Sequence, residues 1–274
     1  MTPGPSRDAA DHLGLRAVTS VRLPLFPLNS VLFPGLVLPL NVFEARYRAL
    51  MRDLLDLPED ERRFGVVAIR DGREVAATAP GMPDTTAVPD RGAAAGFGDD
   101  PMRAFHPVGC IADAATIQEK STAAGPAPEG SDENTAFEVL TTGTTRFRLL
   151  SVDASGPYLT GEIEPLEEAE GDGAGALATG VERAFRTYQK KLAWANERTV
   201  TSSQELPDDP AVLSYLVAAA TVLDVPRKQQ LLEAPDTASR LAQELKMLRQ
   251  ETAVIGKLPS LPAVDLTRHQ THPN

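Results

Sequence analysis

Few residues of this chain have the types and spacing that catalysis needs. The sequence contains a single cysteine, Cys110, and the nearest histidine before it is His106. A thiolate–imidazole pair requires the two side chains to lie within hydrogen-bond reach. In an extended strand, a separation of four residues holds them about 13 Å apart. We therefore expect Cys110 to be a small core residue rather than a nucleophile.

The remaining histidines offer at most a weak metal site. His269 and His272 are spaced as a pair of ligands, but zinc in proteins takes three or four protein ligands and the tail supplies no third. No G-x-x-x-x-G-K-[ST] loop occurs in the sequence, so no backbone cradle for nucleotide phosphates is predicted. The sequence thus predicts no catalytic residue, no cofactor and no metal ion.

The charged and aromatic residues that stand out are better explained by structural roles. We expect Glu44 to cap a helix and Arg46 to form an ion pair or to contact carbonyl groups. Arg146 and Arg148 alternate with apolar neighbours and are expected to be solvated on one strand face. The single tryptophan, Trp194, ends a helical stripe and is expected to pack against the hinge.

The composition restricts the class of protein. A formal net charge of −11 and a pI near 4.9 argue against a nucleic-acid partner, because binding to a phosphate backbone depends on clustered Lys and Arg. One cysteine excludes an intramolecular disulfide. The first 20 residues contain no apolar run of signal-peptide length, so we expect a cytoplasmic location.

The elements that must position a binding site begin with the stretch 22–55. Between Leu23 and Phe43 it is apolar enough for a membrane span, but four prolines interrupt it. Each proline removes a backbone donor that lipid cannot replace, so no membrane association is predicted. Two extended pieces, Leu25–Leu28 and Leu36–Leu40, flank a turn at Phe33-Pro34-Gly35, and an amphipathic helix capped by Asn41 follows.

The segment 21–166 is predicted to be β-rich. Strand patterns recur along it and are interrupted by two loops. The loop at 76–105 is predicted to be disordered, and the one at 120–134 is predicted to form a hairpin tip. Gly143 is predicted to mark a tight bend between two strands.

The segment 177–256 is predicted to be a small antiparallel helical bundle, because the apolar period changes there from two to about three and a half. A linker at 167–176 precedes it. The first helix is predicted to start at a capping box of Thr179 and Glu182. Flexible tails are expected at 1–20 and 257–274.

Several segments of the sequence resemble the amino-terminal domain of the Lon protease family. The most specific is LPLFPLNSVLFPGLVLPLNVFEARYRAL at 23–50, where apolar, proline and charged positions agree together. The resemblance extends over roughly 21–256. Shorter matching segments are FGVV at 64–67, VGCIADAATI at 108–117, VLTTGTTRFRLL at 139–150 and KQQLLEAPDTASRL at 228–241.

The resemblance implies an α+β fold in which a twisted, β-rich, PUA-like pseudo-barrel is followed by a small helical bundle. It also implies a role in binding, since this module holds unfolded or tagged protein segments for the ATPase of Lon. The ATPase and Ser–Lys peptidase modules of Lon have no positions in this sequence, so a free-standing, non-catalytic adaptor or chaperone-like module is expected. Its expected partners are unfolded or exposed protein segments and a protease acting in trans.

A small-molecule sensor or regulatory domain is the alternative function. The candidate peptide-binding residues are Phe33, Pro34, Gly35, Leu36, Phe43 and Tyr47.

Overall fold

The computed structural model describes residues 20–70, 92–121, 135–195 and 205–255. Within these residues the chain forms a mixed six-stranded sheet followed by helices, an α+β fold. The strands are β1 (Val21–Leu28), β2 (Val37–Val42), β3 (Arg63–Ala68), β4 (Val108–Ser121), β5 (Thr135–Asp153) and β6 (Thr160–Pro165). The helices are α1 (Ala45–Leu55), α2 (Pro101–Ala104), α3 (Ala174–Ala195), α4 (Pro210–Ala220), α5 (Val225–Leu232) and α6 (Thr237–Ile255).

The sheet closes on itself and leaves one strand at its margin. Its order is β2-β5-β4-β3-β1-β6, and β5 also pairs with β6. Five strands therefore form a closed barrel, while β2 extends the sheet along the first half of β5. Apolar side chains of β1, β3 and β4 form one core cluster with α1, in which Phe26 is stacked on Tyr47 at 4.3 Å between ring centroids.

The tight bend predicted at Gly143 is wrong. Gly143 lies inside β5, which continues through it as one strand of 19 residues. The turn at Pro34-Gly35 approaches it closely, since the Gly35 amide donates to the Gly143 carbonyl at 2.8 Å and the Gly143 amide donates to the Leu36 carbonyl at 2.9 Å. A Cβ at Gly143 would lie 2.4 Å from the carbonyl oxygen of Phe33. The absence of a Cβ at Gly143 therefore allows the backbone of the turn to approach β5 closely, and the chain does not change direction there.

The first helix begins later than the sequence predicts. Asn41 belongs to β2, where it is paired with Glu138, so it is not the helix cap. Glu44 occupies the N-cap position of α1, and its side chain makes no capping hydrogen bond. Its carboxylate instead pairs with Arg46 at 2.8 Å, which confirms the ion pair predicted for Arg46.

The disorder predicted for 76–105 is wrong for the part that the structure describes. Residues 92–105 pack onto the barrel through Ala93, Phe97 and Phe105, which are buried with Phe147. Phe97 and Phe105 meet edge to face at 4.8 Å between ring centroids. The apolar area that these aromatic side chains bury favours an ordered segment. Residues 76–91 and most of the predicted hairpin tip at 120–134 lie outside the described residues, as do both predicted tails.

The helical half follows the predicted periodicity but not the predicted start or packing. Helix α3 begins at Ala174, so Thr179 lies within it and donates to the Gly175 carbonyl at 3.2 Å. The capping box with Glu182 is therefore wrong. Helices α3 and α6 run side by side in the same direction, which corrects the antiparallel packing: Gly171 lies against Ala238 near the helix starts, and Gly180 lies against Leu245 farther along.

Buried apolar and charged contacts join the two halves. Phe33 from the β2 turn packs against Tyr215 of α4, with ring centroids 6.1 Å apart. Beside them Arg146 of β5 donates to the carbonyls of Leu232 and Ala234 at 2.9 and 2.6 Å. The prediction that Arg146 is solvated is wrong, because its side chain is almost completely buried at this joint.

Candidate peptide-binding surface

The six candidate residues do not form one exposed surface. Phe33 is 1% exposed and Tyr47 is 6% exposed. The fold uses Phe33 to join the barrel to α4, and it uses Tyr47 to cover Phe26. Neither ring is available to a peptide in this conformation, which corrects the expectation of exposed contact residues at these two positions.

The other candidates lie around the β2 turn and just beyond the end of β2. Gly35 is exposed and has a φ of 78°, a conformation that favours glycine and fixes the turn. Pro34 and Leu36 are half-buried beside it. Phe43 is different, because 53% of it is exposed at the point where β2 gives way to α1. Among the six candidates, Phe43 offers the largest accessible apolar side chain.

Phe43 continues a line of exposed apolar residues, which we call the β2 strip and define as Val37, Pro39, Phe43 and Leu140. Val37 and Pro39 lie on one face of β2, the polar residue Asn41 follows on that face, and Phe43 comes next beyond the strand. Leu140 of β5 lies directly opposite Pro39 in the sheet. All four apolar side chains are exposed. Exposed apolar residues that are grouped in this way mark interaction sites in proteins.

A cleft of about 330 Å³ opens at the Phe43 end of the β2 strip. Phe26, Leu28 and Ile69 contribute apolar surface to it, and Glu44 and Arg46 form a charged wall. Its size is at the lower end of the range for ligand pockets, about 300–1,000 Å³. The cleft is therefore suited to one or two apolar side chains rather than to a large cofactor.

The charged wall of the cleft is held rigidly. Arg46 donates to the carbonyls of Ala93 and Ala95 at 3.3 and 2.8 Å and pairs with Glu44. Its guanidinium also lies over the rings of Tyr47 and Phe97, 4.7 and 5.1 Å from their centroids. Burial raises the pKa of Tyr47 far above its ordinary value, although the charge of Arg46 opposes the shift. Tyr47 is thus a neutral ring that supports Arg46.

The residues considered for catalysis do not assemble into a site. Cys110 is fully buried, and burial raises the pKa of its thiol to about 12, which suppresses the thiolate at neutral pH. Burial lowers the pKa of His106. Within the described ranges, no three His, Cys, Asp or Glu side chains are grouped to hold a metal ion. His269 and His272 lie outside the described residues.

Sequence reasoning missed the polar cluster at the joint between the halves. Glu168, in the linker before α3, pairs with Arg146 at 2.9 Å and with Arg240 of α6. Tyr215 and Thr237 also donate to its carboxylate. Apart from Thr237 and Arg240, these residues are far apart in the chain, so no local spacing relates the cluster as a whole. The cluster joins the barrel to the bundle.

The described residues thus form a closed barrel followed by a helical half, with exposed apolar residues along the margin of the sheet. The chain belongs to the ATP-dependent protease La (LON) substrate-binding domain family, whose model matches residues 22–250. No helix in the described ranges has the length and apolar character that crossing a membrane requires.

The relatives of this chain are much longer proteins. It is 27% identical over 245 residues to a Lon protease of Anaeromyxobacter dehalogenans (strain 2CP-C), which covers 85% of this chain and 24% of that protein. It is 25% identical over 237 residues to Lon protease 2 of Myxococcus xanthus, with the same shares covered. The chain thus spans about a quarter of the length of these curated relatives.

A solved structure has the same fold. It is the N-terminal domain of Mycobacterium avium complex Lon protease, which matches with a TM-score of 0.51 and 18% sequence identity. The match covers 85% of this chain and 98% of that one.

Proposed function

We propose that this chain is a non-catalytic module that binds unfolded or exposed segments of other proteins through the β2 strip and the adjoining cleft. Membership of the LON substrate-binding domain family supports a role in recognising protein segments. The observation that carries the proposal is Phe43, an aromatic ring 53% exposed between the strip and the cleft. Exposed aromatic residues of this kind supply much of the binding energy at protein interfaces.

The geometry favours recognition of apolar side chains over pairing with the backbone of a client. Strand β2 is hydrogen-bonded to β5, and its pairing shows no second neighbour in the described sheet. Pro39 lies in the middle of β2 and has no N–H to offer to a further strand. Proline is one of the devices that discourage strand addition at an edge. An unfolded segment would therefore lie across the β2 strip and place an apolar side chain in the cleft.

The protease names of the relatives do not determine the chemistry of this chain. Its match is to the substrate-binding domain, over a quarter of their length. We propose that any processing of a bound segment is done by a protease acting in trans, with this chain as an adaptor. A purified sample that combined client binding with cleavage of the client would contradict this part of the proposal.

Client binding is tested with Phe43→Asp and a matched control, Val222→Asp. Val222 is 69% exposed in the helical half, so both substitutions replace an exposed apolar side chain with the same carboxylate. The probe is fluorescently labelled, permanently unfolded carboxymethylated α-lactalbumin, and its anisotropy reports binding. We expect Phe43→Asp to weaken binding about tenfold or more, the loss of about 1.4 kcal/mol or more typical of an interface anchor.

The control shows whether a loss of client binding comes from the change at the β2 strip or from any added surface carboxylate. Val222→Asp should bind like the wild type, and circular dichroism should show that both variants are folded. Equal affinities for the two variants, or no binding by the wild type, would contradict the proposal. Saturable thermal stabilisation by one small metabolite, without client binding, would favour the alternative of a small-molecule sensor.

A further inference from the structure

A second surface lies on the helical half, in a groove of about 460 Å³ between α3 and α6. Helix α3 lines it with a stripe that includes Gly180, Ala184 and Lys191, and α6 lines it with a stripe that includes Leu245 and Leu248. The spacings of three and four along both helices keep these residues on one face of each helix. The groove is therefore a continuous channel between two parallel helices.

Small residues keep this groove open. Gly180 and Ala184 occupy positions on α3 where larger side chains would fill the space between the helices. A Cβ at Gly180 would be 3.6 Å from the Cδ2 atom of Leu245, an ordinary contact, so close approach of the helices does not require this glycine. Glycine inside a helix costs about 1 kcal/mol relative to alanine. At Gly180 no gain in packing offsets this cost. The absence of a side chain there leaves the floor of the groove accessible.

The rim of the groove is basic although the chain is acidic overall. Arg183, Lys191 and Arg249 line the groove, and no acidic residue does. All three are exposed, and within the described residues their side chains make no ion pair or hydrogen bond. Other arginines nearby are paired, such as Arg186 with Glu182 at 2.8 Å and Arg227 with Glu251 at 2.5 Å. Arg183, Lys191 and Arg249 thus give the rim of this groove a local positive charge on a chain whose net charge is −11.

Trp194 extends the same stripe of α3. It follows Gly180, Ala184, Thr187 and Lys191 at steps of four, three, four and three, so it lies in line with the groove beyond Lys191. It is 68% exposed, and the expectation that it packs against the hinge is wrong. An exposed tryptophan in line with an apolar groove is a common interface anchor.

We propose that the α3–α6 groove binds an acidic amphipathic helix of a partner protein. The apolar face of such a helix would cover Ala184, Leu245 and Ala253, since Leu248 beneath them is already buried. Its carboxylates would pair with Arg183, Lys191 and Arg249. Binding of an amphipathic helix in an apolar groove is a general mode of recognition, and unlike charges on its rim set the specificity. The groove shares no residue with the β2 strip, so this partner and the client segments bind independently.

The chemistry of the groove favours this occupant over a nucleic acid. A phosphate backbone is bound by many clustered cations and gains nothing from a floor of Leu and Ala. The net charge of −11 also repels a polyanion. A short helix with an apolar face matches both the floor and the three cations.

The probe is a synthetic peptide of about five helical turns, with Leu at helical spacing on one face and Glu along its edges. A second peptide carries Gln in place of Glu. Binding is followed by the emission of Trp194, the single tryptophan of the chain, and by calorimetry. We expect the Glu peptide to bind with a blue shift of the tryptophan emission, and the Gln peptide to bind at least tenfold more weakly.

The protein variants are Arg183→Glu/Arg249→Glu and a control, Lys190→Glu/Lys246→Glu. Lys190 and Lys246 are exposed on the same two helices but do not line the groove. Both double variants change the net charge equally, so long-range electrostatics are matched. We expect the groove variant to lose at least tenfold in affinity for the Glu peptide and the control to stay within about twofold, a tenfold change being about 1.4 kcal/mol.

The proposal would be overturned by equal losses in the two double variants, by equal binding of the two peptides, by displacement of the peptide by single-stranded DNA, or by no binding at all. If sedimentation shows a wild-type dimer that the groove variant alone dissociates, the occupant is a second copy of this chain and the proposal fails. Circular dichroism verifies that the variants are folded. Unchanged binding of carboxymethylated α-lactalbumin by the groove variant would show that the two surfaces are independent.

Discussion

The carboxyl group of Glu244 is buried in the helical half without a hydrogen-bond partner. The side chain, on α6, is almost completely buried, and within the described residues neither carboxyl oxygen accepts or donates a hydrogen bond. Desolvation raises the pKa of Glu244 well above its ordinary value, although the charge of Arg240 opposes the shift. The folded protein therefore keeps this group protonated at pH values where the unfolded chain ionises it, which lowers stability as the pH rises.

We predict that Glu244→Gln stabilises the protein at neutral pH and has little effect in acid. Glutamine has nearly the same shape and never ionises, so it removes the penalty that grows between the unfolded pKa, about 4.3, and the raised folded pKa. At pH 7 the variant should therefore be the more stable protein, and its advantage should grow as the pH rises from about 4 to about 7. The measurement is urea unfolding of both proteins at about pH 4 and pH 7. A stability difference that did not grow with pH would contradict the raised pKa.

At the scale of single elements, β5 depends on one close approach of backbones. The turn before β2 packs against Gly143. A Cβ at this position would lie 2.4 Å from the Phe33 carbonyl oxygen and 3.1 Å from the Cys110 Sγ atom. Real Cβ atoms do not approach a backbone oxygen that closely, so the turn or the strand must shift. Because Phe33 also contacts α4, a shift of the turn would disturb the joint between the halves as well.

We predict that Gly143→Ala destabilises the protein by about 3 kcal/mol, the upper part of the range for overpacking. The matched control is Gly156→Ala, where the nearest atom to a Cβ would be 3.7 Å away, an ordinary contact. The control should change the free energy of unfolding by less than about 0.5 kcal/mol. Thermal and urea unfolding of both variants provide the comparison. Equal stabilities would show that the turn moves away at little cost.

Local pattern predicted the elements whose formation depends on neighbouring residues. Asp209 and Asp236 lie directly before α4 and α6 and accept hydrogen bonds from the amides of Val212 and Ser239 at 2.9 and 2.7 Å, contacts between residues only three apart in the chain. The start of α3 was not predicted, because Ala174 and Ala178 carry no strong local signal and are buried by contacts with distant elements. The bend at Gly143 was wrong for a related reason, since a turn and a close approach of backbones both select glycine.

The candidate site was predicted less well than the elements around it. The sequence places Phe33, Phe43 and Tyr47 in one apolar stretch, but it does not reveal which of them the core covers. Phe33 is covered by Tyr215, and Tyr47 covers Phe26, whereas Phe43 has no such neighbour and remains exposed. Burial by α4 is a contact over more than a hundred residues, which no spacing within 22–55 encodes. A Phe33→Asp variant would therefore test folding rather than binding.

At the scale of the whole molecule, one partly exposed carboxylate pairs with cations of both the barrel and the helical half. Glu168 lies between Arg146 of β5 and Arg240 of α6 and pairs with both. Arg240 is completely buried and lies over the Tyr215 ring, 3.9 Å from its centroid. Removing the anion would leave two buried guanidinium groups without a counter-charge, which is far more costly than losing a surface ion pair.

Desolvation acts to raise the pKa of Glu168, but the hydrogen bond from Tyr215 and the charge of Arg240 outweigh it, and the net pKa is lowered. The unfolded carboxyl binds its proton more readily than the folded one. The stabilisation from Glu168 is therefore complete above the unfolded pKa of about 4.3 and is lost as the pH falls through the folded pKa. The pH dependence of stability that Glu168 produces is therefore opposite in direction to the one that Glu244 produces.

We predict that Glu168→Gln destabilises the protein by about 3 kcal/mol at pH 7, near the lower end for a broken buried pair because the Glu168 side chain is 29% exposed. The deficit should shrink in acid, where the wild type also loses the charge. Urea unfolding at about pH 7 and pH 3 measures both effects.

Wild type should unfold in one transition reported alike by Trp194 emission and by far-ultraviolet circular dichroism. If the cluster couples the halves, the two signals should separate in Glu168→Gln, because the bundle that carries Trp194 would then lose its order at a different urea concentration from the barrel. Coincident transitions with an unchanged midpoint would show that the apolar contacts of Phe33 hold the halves together without this ion cluster.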